Sequence, residues 1–174
     1  YEYSFGKQNW VKYSEVEHMS VRNTVGLFDL TSFSKFIVEG SGSTEILQQL
    51  CANDIDIPPG GVIYTSMLNE RGGIEADLTV TRLAGDQYLI VTGGAVGARD
   101  FGWIQSHIKE GTGVSLTDMT SSYSTLGLMG PFSRDLLSKI TDADVSNESF
   151  PFMSSQKIEI GPVSVQATRI TYVG

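Results

Sequence analysis

Residues 61–94 read GVIYTSMLNERGGIEADLTVTRLAGDQYLIVTGG. Three β-prone runs follow one another here, Val62–Leu68, Ile74–Leu83 and Gln87–Thr92, separated only by NERGG and AGD. Val, Ile, Tyr and Thr fill the runs, while Gly, Asn and Asp hold the connections. That is hairpin chemistry, because two to five turn-forming residues reverse a strand but cannot carry a crossover helix. The stretch therefore predicts an antiparallel meander. Side chains alternate along a strand, so Ile74, Ala76, Leu78 and Val80 share a core face. Glu75, Asp77, Thr79 and Thr81 share the opposite one. Asp77 is out of place by propensity, since a short carboxylate in mid-strand competes for backbone hydrogen bonds. It is either a solvated strand residue or part of a site.

Outward from the meander the elements are shorter. On the N-terminal side, Asp54–Gly61 is a Pro- and Gly-containing loop, preceded by a helix over Thr44–Cys51. The GSGS run at 40–43 opens that helix but matches neither phosphate-loop pattern, and reads as a polar turn with an N-cap. Gly26–Asp29 and Lys35–Val38 read as short strands with Thr31-Ser32 turning between them, and Ser14 with Glu17 resembles a capping box for a helix over Glu15–Val25. On the C-terminal side the pattern predicts a helix at Val96–Lys109, strands at Val114–Met119 and Ser124–Met129, a helix at Phe132–Ile140, and a hairpin of Lys157–Ile160 with Val163–Val173. Strands joined by hairpins with interspersed helices argue for α+β: an antiparallel sheet meander with flanking helices. The expected core comprises Leu47, Leu50, Val62, Leu78, Val80, Leu89, Val91, Ile104 and Leu136. Residues 1–13 read as an arm or the end of a preceding domain, and 14–174 as one domain; the first residue is not Met and both ends look cut.

Composition narrows the function. A net charge of −8 with 12 Lys plus Arg argues against a general nucleic-acid or anionic-membrane surface. No apolar run reaches membrane-span length. One cysteine, Cys51, excludes an internal disulfide framework, fits a reducing compartment, and reads as a small buried hydrophobe. Two distant histidines, His18 and His107, do not make a metal site, and both read as helix residues without a catalytic role. No Rossmann fingerprint or GxSxG elbow is present, so neither a nicotinamide nor a flavin is held by this chain alone. What remains is a mid-strand carboxylate with aromatic and hydroxyl side chains on neighbouring strands. That set suits a flat heteroaromatic ligand with a basic nitrogen.

The string YTSMLNERGGIEADLTVTR at 64–82 resembles the signature of the folate-binding aminomethyltransferase family, to which the T-protein of glycine cleavage belongs. FGKQNW at 5–10, EVEHMSVRNTVGLFDLTSFSKF at 15–36, LIVTGGAV at 89–96, DADVSNESFPF at 142–152 and RITYVG at 169–174 resemble the C-terminal half of sarcosine and dimethylglycine dehydrogenases, most of all the sarcosine branch. The resemblance implies a domain that binds tetrahydrofolate. It also implies FAD in a separate N-terminal flavin domain, of the same polypeptide or of a partner subunit, which oxidises an N-methyl amine to an iminium. The one-carbon unit so released would be captured as methylene-tetrahydrofolate, in bacterial cytoplasm or the mitochondrial matrix. Residue by residue, the family's folate-facing acid falls on Asp77, and its pterin-lining tyrosines fall on Tyr64 and Tyr172. The preceding acid of many relatives is Ala76 here, and a folate-contacting Asn of T-proteins falls on Gly93, which favours the dehydrogenase branch. The segment carrying the family's folate-contacting Glu would begin just after Gly174. The alternatives are a glycine-cleavage aminomethyltransferase and a non-catalytic interaction module similar to the regulatory subunit of pyruvate dehydrogenase phosphatase.

Overall fold

The computed structural model describes residues 1–171. The meander is present as read: β3 (Val62–Leu68), β4 (Ile74–Ala84) and β5 (Gln87–Thr92) pair antiparallel in sequence order. Asn69 shapes the β3–β4 turn, its side-chain carbonyl accepting the N–H groups of Arg71 and Gly73. On the far edge of β5, β2 (Ser34–Glu39) and then β6 (Ser115–Asp118) complete an antiparallel five-stranded sheet in the order β3-β4-β5-β2-β6. Two further pairs stand apart: β1 (Gly26–Asp29) with β7 (Leu126–Met129), and β8 (Ser154–Ile160) with β9 (Val163–Arg169). The Thr31-Ser32 turn thus does not close a hairpin; it carries the chain from one sheet to another, with the Thr31 N–H held by the Asp29 carboxylate at 2.9 Å.

Helices α2 (Ser43–Leu50) and α3 (Gly97–His107) contribute to a core built on the large sheet. Ile46, Leu47 and Leu50 from α2 and Ile104 from α3 join Phe36, Val38, Met67, Ala76, Leu78, Val80, Tyr88 and Ile90 there. On β4, Ala76, Leu78 and Val80 face the core as alternation predicts, but Ile74, beyond a register shift at the start of the strand, is exposed, and Thr81, expected on the polar face, is buried. On β5 the expectation fails: Leu89 and Val91 are only half-buried, and Tyr88, Ile90 and Thr92 face the core. β5 carries bulky residues on both faces, so alternation alone cannot choose. Register chooses, because Ile90 opposes Val80 and Thr92 opposes Leu78. Burial of the Tyr88 ring is accommodated by a 2.7 Å hydrogen bond between its hydroxyl and that of Thr44, while the same burial pushes the phenol pKa up.

Two other expectations are corrected. Helix α1 runs Val11–Asn23, starting four residues earlier than the Ser14/Glu17 box predicts; Trp10 is its N-cap and no side chain caps it. It buries no residue, so packing does not set its limits. Helix α4 spans only Ser133–Leu137. Five residues are too few to turn positions 136, 137 and 140 to one side, and Leu136 and Ile140 are 38% and 48% exposed. Tyr172 lies outside the described residues.

Candidate functional site

β4 places Asp77 on its exposed face, directly opposite Ser66 of β3. Tyr64 stands two residues before Ser66 on the same face, opposite Thr79. Diagonal neighbours of this kind are within reach of a long side chain, and the Tyr64 hydroxyl donates to Asp77 Oδ2 at 2.7 Å. A phenol donating to a carboxylate is a charge-assisted bond, short and orienting. Asp77 Oδ1 has no partner among the described residues and is directed by a side chain already tethered at Oδ2. Tyr64 is 60% exposed beside the acid.

The two side chains border an open depression of about 330 Å³, whose walls also include Asn53, Ser66 and Ile74. Asn53 is committed to the scaffold: its carboxamide NH₂ donates to the Tyr64 carbonyl at 2.9 Å, and its backbone N–H donates to Thr65 Oγ1 at 3.1 Å. These bonds hold the 51–54 loop against β3. Ile74, 69% exposed, supplies an apolar rim. Sequence reading missed Asn53 and Ser66. Ser66 was recoverable from the register of the NERGG hairpin, whereas nothing local marks Asn53, because its partners come from the next strand.

Gly93 directly follows Thr92, and Thr92 opposes Leu78, so the main chain at 93 runs beside that of Asp77. A Cβ at Gly93 would meet nothing closer than Val96 Cγ2 at 3.6 Å. The next glycines differ: a Cβ at Gly94 would collide with the Ser32 carbonyl oxygen, and one at Gly97 with Ser34 Oγ. The structure therefore brings Asp77, Tyr64 and Gly93 to one end of the sheet.

The remaining chemistry-bearing residues are elsewhere. The 40–43 loop is folded against residues 112–114, and Ser43 Oγ donates to the Asp86 carbonyl at 3.0 Å. His107 Nδ1 lies 2.8 Å from the Trp103 carbonyl at the end of α3, and His18 lies on exposed α1. Burial pushes the Cys51 thiol up to about 12, the wrong direction for a nucleophile. Among the described residues no three His, Cys, Asp or Glu gather in a metal-holding group.

The site can orient one carboxylate oxygen toward a bound group and accept a proton from it. Comparisons with known proteins bear on which ligand. The profile of the family described as GCVT N-terminal domain matches residues 1–174. The 4-methylaminobutanoate oxidase (formaldehyde-forming) of Paenarthrobacter nicotinovorans is 37% identical, the match covering 100% of this chain and 21% of that protein. Mitochondrial dimethylglycine dehydrogenase of Rattus norvegicus is 35% identical, covering 100% and 20%. This chain thus spans about a fifth of the length of those relatives. The crystal structure of the glycine cleavage system aminomethyltransferase T from Bartonella henselae superimposes with a TM-score of 0.70 at 28% identity, over 80% of this chain and 37% of that one.

Proposed function

This chain belongs to the GCVT N-terminal domain family, and from that premise we propose that it is a tetrahydrofolate-binding domain of a larger amine-oxidising flavoenzyme. Its role is to capture the one-carbon unit of an oxidised N-methyl amine, of the sarcosine or dimethylglycine class, as methylene-tetrahydrofolate. The observation that carries the reading is the Tyr64–Asp77 pair, 2.7 Å apart on an exposed strand face beside the depression. The residues present fit a reduced pterin. An open acceptor oxygen, an exposed phenol ring and an apolar rim at Ile74 suit a planar ring system bearing N–H groups.

Bound there, tetrahydrofolate would supply the N5 and N10 nitrogens that take up the carbon. Tyr64 would hold Asp77 Oδ2, leaving Oδ1 to receive the proton released at N10. Gly93 would let the ligand approach the main chain at the end of β5. A well-placed acid/base of this kind is worth roughly 10²–10⁴ in rate. FAD would sit in a separate domain, and the assembly would reside in bacterial cytoplasm or the mitochondrial matrix. The experiment is to supply the full-length enzyme with its N-methyl amine and increasing tetrahydrofolate. Free formaldehyde should fall as methylene-tetrahydrofolate rises. A formaldehyde yield indifferent to tetrahydrofolate would defeat the proposal.

A further inference from the structure

A second acid stands behind the first, and the roles above leave it unused. Asp100 is fully buried, in the first turn of α3. A buried carboxylate is costly unless every oxygen is satisfied. Here Oδ2 accepts the Thr92 hydroxyl at 2.6 Å, and Oδ1 accepts Nε–H of Arg99 at 2.9 Å, with Nη2 of the same guanidinium 2.8 Å away in an ion pair. The helix N-terminus adds a favourable dipole.

Thr92 is where this cluster meets the site. It is the last residue of β5, 2% exposed, and its paired neighbours are Leu78 on one side and Ser34 on the other. Leu78 follows Asp77 directly, and Thr92 Oγ1 lies 3.5 Å from the Asp77 carbonyl oxygen. After Thr92 the chain leaves the sheet through Gly93 and Gly94 and enters α3 at Gly97. One side of that turn is fixed by the tight approach of Gly94 and Gly97 to Ser32 and Ser34. On the other side, the Asp100–Thr92 bond ties the helix to the strand end.

We propose that Asp100, acting through Thr92, is a positioning residue for the one-carbon capture site, holding the β5 end and the Gly93 turn in register beside Asp77. A Thr–Asp bond between a strand end and the following helix fixes both the height of the turn and the Asp77 backbone beside it. A misplacement of about 1 Å at such a distance from the chemistry costs up to about 10²-fold. The inference rests on the functional reading above.

The test uses the full-length enzyme at saturating amine and saturating tetrahydrofolate, with methylene-tetrahydrofolate and free formaldehyde measured together. Thr92→Val keeps the shape and removes the hydroxyl; Thr92→Ser keeps the hydroxyl; Asp100→Asn keeps an acceptor but turns a donor toward Arg99 or Thr92. Thr92→Val and Asp100→Asn should each lower the ratio of captured to free product by roughly 10- to 100-fold, with amine oxidation unchanged and no recovery on adding folate. Thr92→Ser should regain most of the loss. The double variant Thr92→Val/Asp100→Asn should be no worse than the poorer single one, because both break the same bond. If Thr92→Val does not fold, Asp100→Asn against Thr92→Ser makes the same comparison. Capture equal to wild type in the Val and Asn variants, losses that multiply in the double variant, or capture and amine oxidation falling together would each overturn the assignment. An Asp77→Asn control separates the two levels. If it loses capture while the Thr92 and Asp100 variants do not, only this inference fails. If the wild-type enzyme captures nothing, the functional reading falls and this one with it.

Discussion

Replacing Tyr64 with phenylalanine removes the phenol oxygen and with it the 2.7 Å donation to Asp77 Oδ2. The ring keeps its place on β3, so its apolar contacts should survive. A net hydrogen bond to a charged group contributes about 1.5–3 kcal/mol where water is excluded. At 60% exposure, water replaces much of the lost donor, which brings the effect to about 1 kcal/mol or less. That corresponds to roughly a five-fold loss in a step that needs the carboxylate oriented. It also corresponds to a thermal midpoint lower by no more than about 2–4 °C for a domain of this size. The assay is the full-length enzyme with its amine and tetrahydrofolate, scored for captured against free one-carbon product, with the folate dissociation constant measured separately. Capture should fall modestly, with affinity changed little. No fall would show that the tether does not orient Asp77. A fall as deep as that of an Asp77 substitution would show that the phenol, and not the carboxylate, is the group the step depends on.

Three further expectations concern the scaffold. Leu78→Ala should cost about 2–5 kcal/mol, since Leu78 is 2% exposed in the core, while Leu89→Ala on half-buried β5 should cost clearly less; equal midpoints in denaturant unfolding would reverse the assigned faces. Gly94→Ala must displace the Ser32 carbonyl and should cost about 1–3 kcal/mol or more, whereas Gly93→Ala has open space and should be near neutral, as read from thermal midpoints of the two variants. The Cys51 thiol, pushed from 9.0 up to about 12 by burial, keeps its proton in the native state at a pH where the unfolded chain has lost it. The folded state then binds more protons, so stability falls as pH rises from about 9 toward 12. Cys51→Ala should lose that part of the alkaline slope, and alkylation of Cys51 at neutral pH should require unfolding.

The meander was legible because turn chemistry and strand composition agree over the whole of 61–94. Asp77 was legible as a residue that breaks a local preference on a polar face. Its bond to Tyr64 was not, because a diagonal contact depends on register, and register follows from a turn geometry that Asn69 sets with its side chain. β5 misled for a related reason: with Tyr88 and Ile90 on one face and Leu89 and Val91 on the other, alternation carries no preference. α1 and α4 went astray because neither buries a residue, and a helix with no buried stripe leaves no periodic trace of its limits. Asp100 passed unread in the sequence. An acid in the first turn of a helix is ordinary, and its complete burial becomes visible only once Thr92 and Arg99 are seen around it.

The central claim is that Asp77 receives a proton during capture. Asp77→Asn preserves size and the outward position on β4 while removing the carboxylate that can take up a proton, and the measurement is the partition of product between free formaldehyde and methylene-tetrahydrofolate in the full-length enzyme. Amine oxidation should continue at the wild-type rate, free formaldehyde should rise, and capture should fall by about 10²-fold or more. A variant that partitions its product as the wild type does would contradict the account and leave Asp77 a solvated residue on the face of a strand.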